Sequence, residues 1–510
     1  MRVLITVLLC AGWMAAQESP DAKAFQAAYK LKQPREKIAA LDRFLAEYPS
    51  SDRAGSARRE LIIAAVQANP KDAVRRTNAI TKTLPAADAA DLNRLLAAQL
   101  NGARKLPKEA ERAARLAIQQ FTYEAFAEQA KEETPLRARY DGQRARMNET
   151  LAQSLLAQGK RGQPKQIFLD ALKYNPSLGA AALAVGDIFV KEGNGPQALA
   201  YYAQGMLARG TPEARKKFSD AYLKVKGSAA GQQEFLDERY RALFPNPIHS
   251  EKYQKSERRT ARVVLAEVYT GAGCGPCLGA DLSFDAVLER YARADVAVVM
   301  YHLHIPRVDP MSNADTVARW KWQDGRGVPT YAIDGDATSR GGTRDMAVHL
   351  EANIRKTIEK ELEIAPSAAL NLLVANDGRT VKAIATVTGV TLDSPDLVLN
   401  VLLVEKELRY SGENGIRFHP MVVRSVASFP LKAEKAKTGT HTFDLAAVEA
   451  GLEKHIAEFE KHDERDNEDG KFRFMEYKSQ IDPADLAVVA FVQDVKTKVV
   501  LQSVYAEAKQ

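Results

Sequence analysis

From residue 19 to about residue 250, apolar side chains recur at helical spacing, with Pro and Gly as punctuation and no good strand pattern. The pattern predicts an all-helical region. Residues 39–61, with Phe44, Leu45, Tyr48 and Pro49, have the look of one helical hairpin. Downstream a period emerges. Gly159, Gly193 and Gly227 stand 34 residues apart, with Leu155, Phe189 and Leu223 four residues before them and Phe168, Tyr202 and Leu236 nine after. Each glycine is expected in the turn of a helical hairpin. Such hairpins cannot bury their faces alone, so they stack into a solenoid with a concave surface. A plain helical spacer is the other reading of the same pattern.

Phe244-Pro245-Asn246-Pro247 and the basic, polar stretch 256–262 end that region. The pattern then alternates between strand and helix. Residues 263–269 read as a short apolar strand, and Phe284, Val287, Leu288 and Tyr291 fall on one helical face. Residues 296–301 are almost continuously apolar, as befits a strand buried on both faces. A helix over 314–323, a strand at 331–333 after Val328-Pro329-Thr330, a turn at Asp334-Gly335-Asp336 and a helix with Met346, Leu350, Ile354 and Ile358 complete an α/β domain.

Beyond Pro366 the period shortens to two. Residues 371–375 and 381–387 flank Asn376-Asp377-Gly378, a strong hairpin signal. Strands at 397–404, 487–492 and 498–505 follow, and a β-sandwich is the expected class. The predicted organisation is a signal peptide at 1–16, a helical-repeat domain at 17–250, an α/β domain at 251–365 and a mostly-β, sandwich-like domain at 366–510.

The signal peptide rests on Arg2, the apolar run 3–9 and the small residues ending at Ala15 and Ala16. Lipidation of Cys10 would call for a small residue before it, and Leu9 is large. The expected location is periplasmic or secreted, where disulfides persist. No later segment has the apolar length of a membrane span. The formal charge of +7, from 72 basic and 65 acidic residues, is spread over interleaved charges without a nucleic-acid motif. A polynucleotide partner is not expected. Residues 458–470 are dense in acids, and Asn467, Asp469, Gly470 and Glu476 match positions of a calcium loop, but Arg465 occupies the place of its first aspartate and opposes a metal. A solvated loop is the better reading. Phe418-His419-Pro420 with Arg424 reads as a turn between strands.

The chain has three cysteines, and removal of the N-terminal segment leaves only those of Cys274-Gly275-Pro276-Cys277. A two-residue spacer lets the sulfurs join, and a helix starting there would place the first sulfur at its N-terminus. There, a thiolate is stabilised, and the pKa of such thiols falls from about 8.5 to about 7 or lower. Cys274 is expected to be exposed and reactive. Two other readings stand beside exchange chemistry: a zinc site, for which His302 and His304 could complete four ligands, and a structural disulfide, which would close a very small loop and add little stability.

The order strand, Cys-Gly-Pro-Cys, helix, strand, helix, Val-Pro-Thr and hairpin resembles the thioredoxin fold over about 100 residues, its two motifs lying 52 residues apart. The resemblance implies an extracytoplasmic thiol–disulfide oxidoreductase. Cys274 would be the attacking thiol, Cys277 the resolving thiol, and Pro329 a cis-proline facing them, leaving the Val328 backbone to pair with a substrate peptide. Gly273, Gly275 and Pro276 would shape the substrate surface. Gly273 stands where that family usually has tryptophan, and Leu278 where it has a basic residue. The buried acid of the family has its nearest counterpart in Glu267. No cofactor beyond the Cys274–Cys277 disulfide is implied. The implied partners are protein thiols or disulfides and an upstream redox partner. The 34-residue period resembles the tetratricopeptide repeat, with Gly186 and Ala198 at its small positions and Pro176 at its closing proline; Pro164 and Gly210 depart from it. That resemblance implies protein partners on the repeats. The α/β and β regions together are loosely similar to a group of bacterial envelope proteins, through Val404-Glu405 and Ala490-Phe491-Val492-Gln493. The alternative function is an envelope scaffold with an idle redox motif.

Overall fold

A computed structural model describes residues 19–129, 136–462 and 472–510. The expected signal peptide, Cys10 and most of the acidic loop therefore lie outside the described residues. The chain divides into two units, with the boundary between Asn175 and Pro176.

The first unit is helical. Several of its helices begin with proline at the first position, among them Pro34–Glu47, Pro70–Thr81 and Pro107–Gln120, where the missing N–H costs no hydrogen bond. Its core is built from Ile62, Leu92, Leu96, Leu100, Ala114 and Leu155. Many contact positions are alanine, which lets helix backbones approach closely.

The second unit begins with helices Gly179–Lys191, Gly195–Ala208, Pro212–Lys226 and Gln232–Leu243. Gly193 and Gly227 sit in the turns with φ of +75° and +77°, and Gly159 in the first unit has +79°. The left-handed backbone explains why glycine recurs there. Gly186 has a different reason. A Cβ on it would lie 2.4 Å from Tyr202 Cε1, so the ring of one helix occupies the space of a missing side chain on the next. The periodic hairpins fall on both sides of the unit boundary.

The rest of the second unit is organised by strands β1 (Val264–Thr270), β2 (Val296–His302), β3 (Thr330–Ile333), β4 (Asp336–Thr338), β5 (Ala369–Asn376), β6 (Thr380–Thr388), β7 (Leu397–Arg409), β8 (Phe418–Pro430), β9 (Lys437–Asp444), β10 (Leu486–Asp494) and β11 (Val500–Glu507). Eight of them form one mixed sheet in the order β11-β10-β7-β8-β2-β1-β3-β4. β1 runs parallel to β2 and antiparallel to β3, and β8 lies parallel to β2 through Met300 and Val422. The remaining strands make a second sheet, β5-β6-β9.

The sandwich expected over 366–510 is thus corrected in one respect. It supplies a second layer, but its other layer is a continuation of the α/β sheet. Along β7, Leu402 and Val404 enter one core with Val298 and Phe491, while Leu399, Val401 and Leu403 enter another with Val381, Ala383 and Val387. Strand alternation sends successive residues to opposite faces, so a continuously apolar strand serves both cores. Phe418-His419-Pro420, expected in a turn, opens β8 instead. Arg424 within it is fully buried against Glu405, which neutralises its charge. Among the described residues, no helix is long and apolar enough to cross a membrane.

Candidate redox site

β1 ends at Thr270, and a short loop leads to Cys274. Helix Cys277–Arg290 starts immediately after, with Pro276 as its N-cap. A disulfide joins Cys274 to Cys277 across a Cα separation of 5.3 Å. The Cys277 amide donates towards Cys274 Sγ at 3.2 Å. A helix N-terminus presents unpaired N–H groups and a partial positive charge, so negative charge developing on that sulfur would meet a donor already aimed at it. The Val328 carbonyl oxygen lies 3.6 Å from the same sulfur, and the Val328–Pro329 peptide is cis. The two sequence motifs are therefore brought together, and Gly341 packs against both, since a Cβ on it would lie 2.4 Å from Pro276 O and from Pro329 Cγ.

The expectation of an exposed Cys274 is corrected: it is 1% exposed, and Cys277 is fully buried. Three segments pack around the loop that carries them. Arg307 lies along Gly273, whose missing side chain makes room for it. The turn between β7 and β8 packs from another side, where the Asn414 amide donates to Ala272 O at 2.9 Å and Asn414 Nδ2 to Gly271 O at 3.4 Å. Arg307 and Glu413 join these two covers in an ion pair of 3.0 Å. Gly342 N, finally, donates to Pro276 O at 2.8 Å.

Glu267 is corrected as well. Its carboxylate accepts from Tyr301 Oη at 3.0 Å and is held bidentately by Arg319 at 2.8 and 2.9 Å. It stands three positions before Thr270, whose side chain meets the cysteine helix, so strand alternation turns Glu267 to the other face of the sheet. Neither a proton carrier for the sulfurs nor a solvent-facing carboxylate, it is half of a buried ion pair.

The carboxyl on the cysteine side is Asp281, one helical turn after Cys277. Its Oδ2 accepts from the Thr270 hydroxyl at 3.0 Å. Burial pushes its pKa up to about 7, against the lowering effect of the Thr270 bond and of His302. His302 stands beside Thr270 in register on β2. Its Nδ1 meets Asp309 Oδ2 at 2.8 Å. Burial would raise the Asp309 carboxyl, but the His302 imidazole and backbone donors, including Ala272 N at 2.7 Å, hold it below the usual range. His304 Nδ1 accepts from the Asp309 amide at 3.0 Å. A cavity of about 720 Å³, lined by Glu405, Glu407, Arg409 and Lys478, opens elsewhere in this unit and includes neither cysteine.

No known family model matches the chain, and no curated protein matches it. Solved structures give partial likenesses. MamA shares 14% identity over 40% of this chain and 98% of its own, with a TM-score of 0.27. TTC0263, a thermophilic TPR protein in Thermus thermophilus, shares 13% over 40% of this chain and 99% of its own, with a TM-score of 0.28. PilF of Pseudomonas aeruginosa shares 21% over 37% of this chain and 98% of its own, with a TM-score of 0.17. These likenesses are loose, and the helical hairpins rest on this chain's own geometry.

Proposed function

We propose that this chain is an extracytoplasmic thiol–disulfide oxidoreductase that acts on protein thiols or disulfides through Cys274 and Cys277, with its helical hairpins binding protein partners. One observation carries the reading: the Cys274–Cys277 disulfide sits at the start of a helix, with a helix amide on Cys274 Sγ and the cis Val328–Pro329 peptide against it. The strand order β2-β1-β3-β4, with the cysteine helix following β1, supports a thioredoxin-like fold for residues 264–362.

In the reducing direction, the Cys274 thiolate attacks a substrate disulfide. A Cys274–substrate bond forms, and one substrate sulfur leaves as thiolate. The Cys277 thiol loses its proton and attacks Cys274 Sγ, closing the 274–277 disulfide and releasing the second substrate thiolate. The substrate gains two electrons, and the protein dithiol loses them to become the disulfide. An upstream dithiol restores it. Each attack on a substrate needs Cys274 uncovered. Arg307, whose side chain is 58% exposed, is the most easily displaced part of the cover.

Trapping tests the proposal. Cys277→Ser should accumulate mixed disulfides through Cys274 when expressed with its signal segment, seen as ladders on non-reducing gels that collapse on reduction. Absence of any such adduct would overturn it. The burial of Cys274 favours a second reading, an envelope scaffold with an idle motif. Replacing both cysteines with serine separates the two, because a scaffold keeps partner capture and phenotype.

A further inference from the structure

The buried polar groups behind the disulfide form a set of their own. In a helix, side chains four residues apart share a face and lean towards the N-terminus, which puts Asp281 on the face of Cys277. Thr270 on β1 holds Asp281 Oδ2, and His302 lies in register beside Thr270 on the neighbouring strand. Asp281 Oδ1 and His302 Nε2 are both buried and have no bonded partner among the described residues. Two buried, unpaired polar atoms on residues that both neighbour Thr270 are costly unless they serve each other or a proton. The other ring nitrogen of His302 is fixed by Asp309, which in turn holds the Ala272 amide in the loop to Cys274.

Resting on the redox reading above, we propose that Asp281 is the catalytic base that takes the Cys277 thiol proton, and that His302, oriented by Asp309, is the positioning residue that aims Asp281 and passes the proton on. As the S–H bond of Cys277 breaks, the proton moves to Asp281 and the sulfur electron pair forms the bond to Cys274 Sγ. The Cys274–substrate bond breaks, and its electron pair departs on the substrate thiolate. In the reverse direction, Asp281 returns the proton to Cys277. The site needs such a carrier because both sulfurs are closed off from water. The other titratable groups nearby are Asp285, one turn along the same helix, and His419 on β8, whose ring meets His302 edge-on at 5.1 Å. Burial raises the Asp285 carboxyl well above its usual range, and burial together with His302 pushes His419 down to about 3, so His419 adds no charge near neutrality.

The test uses the full-length reduced protein and a chromogenic aryl disulfide in stopped flow. Attack by Cys274 releases one coloured thiolate, and attack by Cys277 on the mixed disulfide releases the second. Asp281→Asn should slow the second release about a hundredfold near neutral pH, the size of a lost general base. The deficit should close above pH about 8.5, where the thiol ionises unaided. The first release should stay within about twofold of wild type, since a base for Cys277 takes no part in that step. His302→Gln should shift the pH profile of the second release in the same direction. An unchanged second release in Asp281→Asn, or both releases slowed alike, overturns the proposal. Should Asp281→Asn fail to fold, an unchanged profile in His302→Gln overturns it. If the wild type gives no first release, the redox reading itself fails, which the variants' behaviour cannot mimic.

Discussion

Arg307 lies so close along Gly273 that a Cβ on the glycine would come within 2.6 Å of Arg307 Cβ. The missing side chain and the covering one are complementary, at the residue directly before the buried Cys274. Arg307→Ala should therefore uncover the sulfur. In the reduced protein, alkylation of Cys274 by iodoacetamide should be several-fold faster than in wild type, and faster also in Glu413→Gln, which frees Arg307 without shortening it.

Gly273→Val should have a different effect. The new methyl groups must displace Arg307, and overpacking of this kind costs about 1–3 kcal/mol. Urea unfolding of the oxidised protein measures it. Residue 273 borders the sulfurs, so the same variant should also alkylate faster once reduced.

Asp281 makes stability depend on pH. Its folded pKa of about 7 lies above the ordinary 3.8, so the folded state holds the proton more tightly than the unfolded state. Its favourable contribution is complete below the ordinary value and is lost as pH rises through about 7. Asp281→Asn cannot lose a proton. The variant should gain stability relative to wild type as pH rises from about 4 to about 8, read from urea midpoints along the pH series.

Glu267 and Arg319 offer the opposite case, in which stability changes and chemistry does not. Glu267→Ala leaves a buried guanidinium with Gln493 as its remaining charge-free acceptor. Breaking a buried ion pair from one side costs about 3–5 kcal/mol. Since Glu267 faces away from the cysteine helix, the second thiolate release should be unaltered in the molecules that remain folded, and urea unfolding should show the loss.

Gly186→Ala tests the hairpin packing. The added methyl group must displace the Tyr202 ring, which is anchored by its hydroxyl to Asp187 at 2.7 Å. A cost of about 1–3 kcal/mol is expected in thermal or urea unfolding. Gly275→Ala, where nothing approaches the new methyl, should cost far less.

Much of the architecture could be read in the pattern of residues, for local reasons. Gly193 and Gly227 announced turns because only a left-handed backbone rewards glycine at that spacing. Asn376-Asp377-Gly378 announced its hairpin through the turn chemistry alone. Non-local partners were beyond reach. Nothing near Glu267 foretells Arg319, which arrives 52 residues later from a helix on the far side of the sheet. The pairing of β8 with β2 joins residues more than a hundred positions apart, and both strands have the apolar character of any buried strand. The enclosure of Cys274 depends on Asn414 and Arg307, polar residues that look like ordinary loop positions. Asp281 was missed although a signal existed: it stands four residues after Cys277, a spacing that puts both on one face of the helix.

The shared sheet also limits how the molecule can be dissected. A fragment stopping at residue 365 would keep both cysteines yet strip β8 from β2, baring a row of amides and carbonyls along an apolar edge. Raw edges of that kind recruit other strands, so the excised piece should clump rather than act as a miniature enzyme. The portion with the sulfurs and the portion with no assigned task are one wall, and neither is detachable cargo for the other.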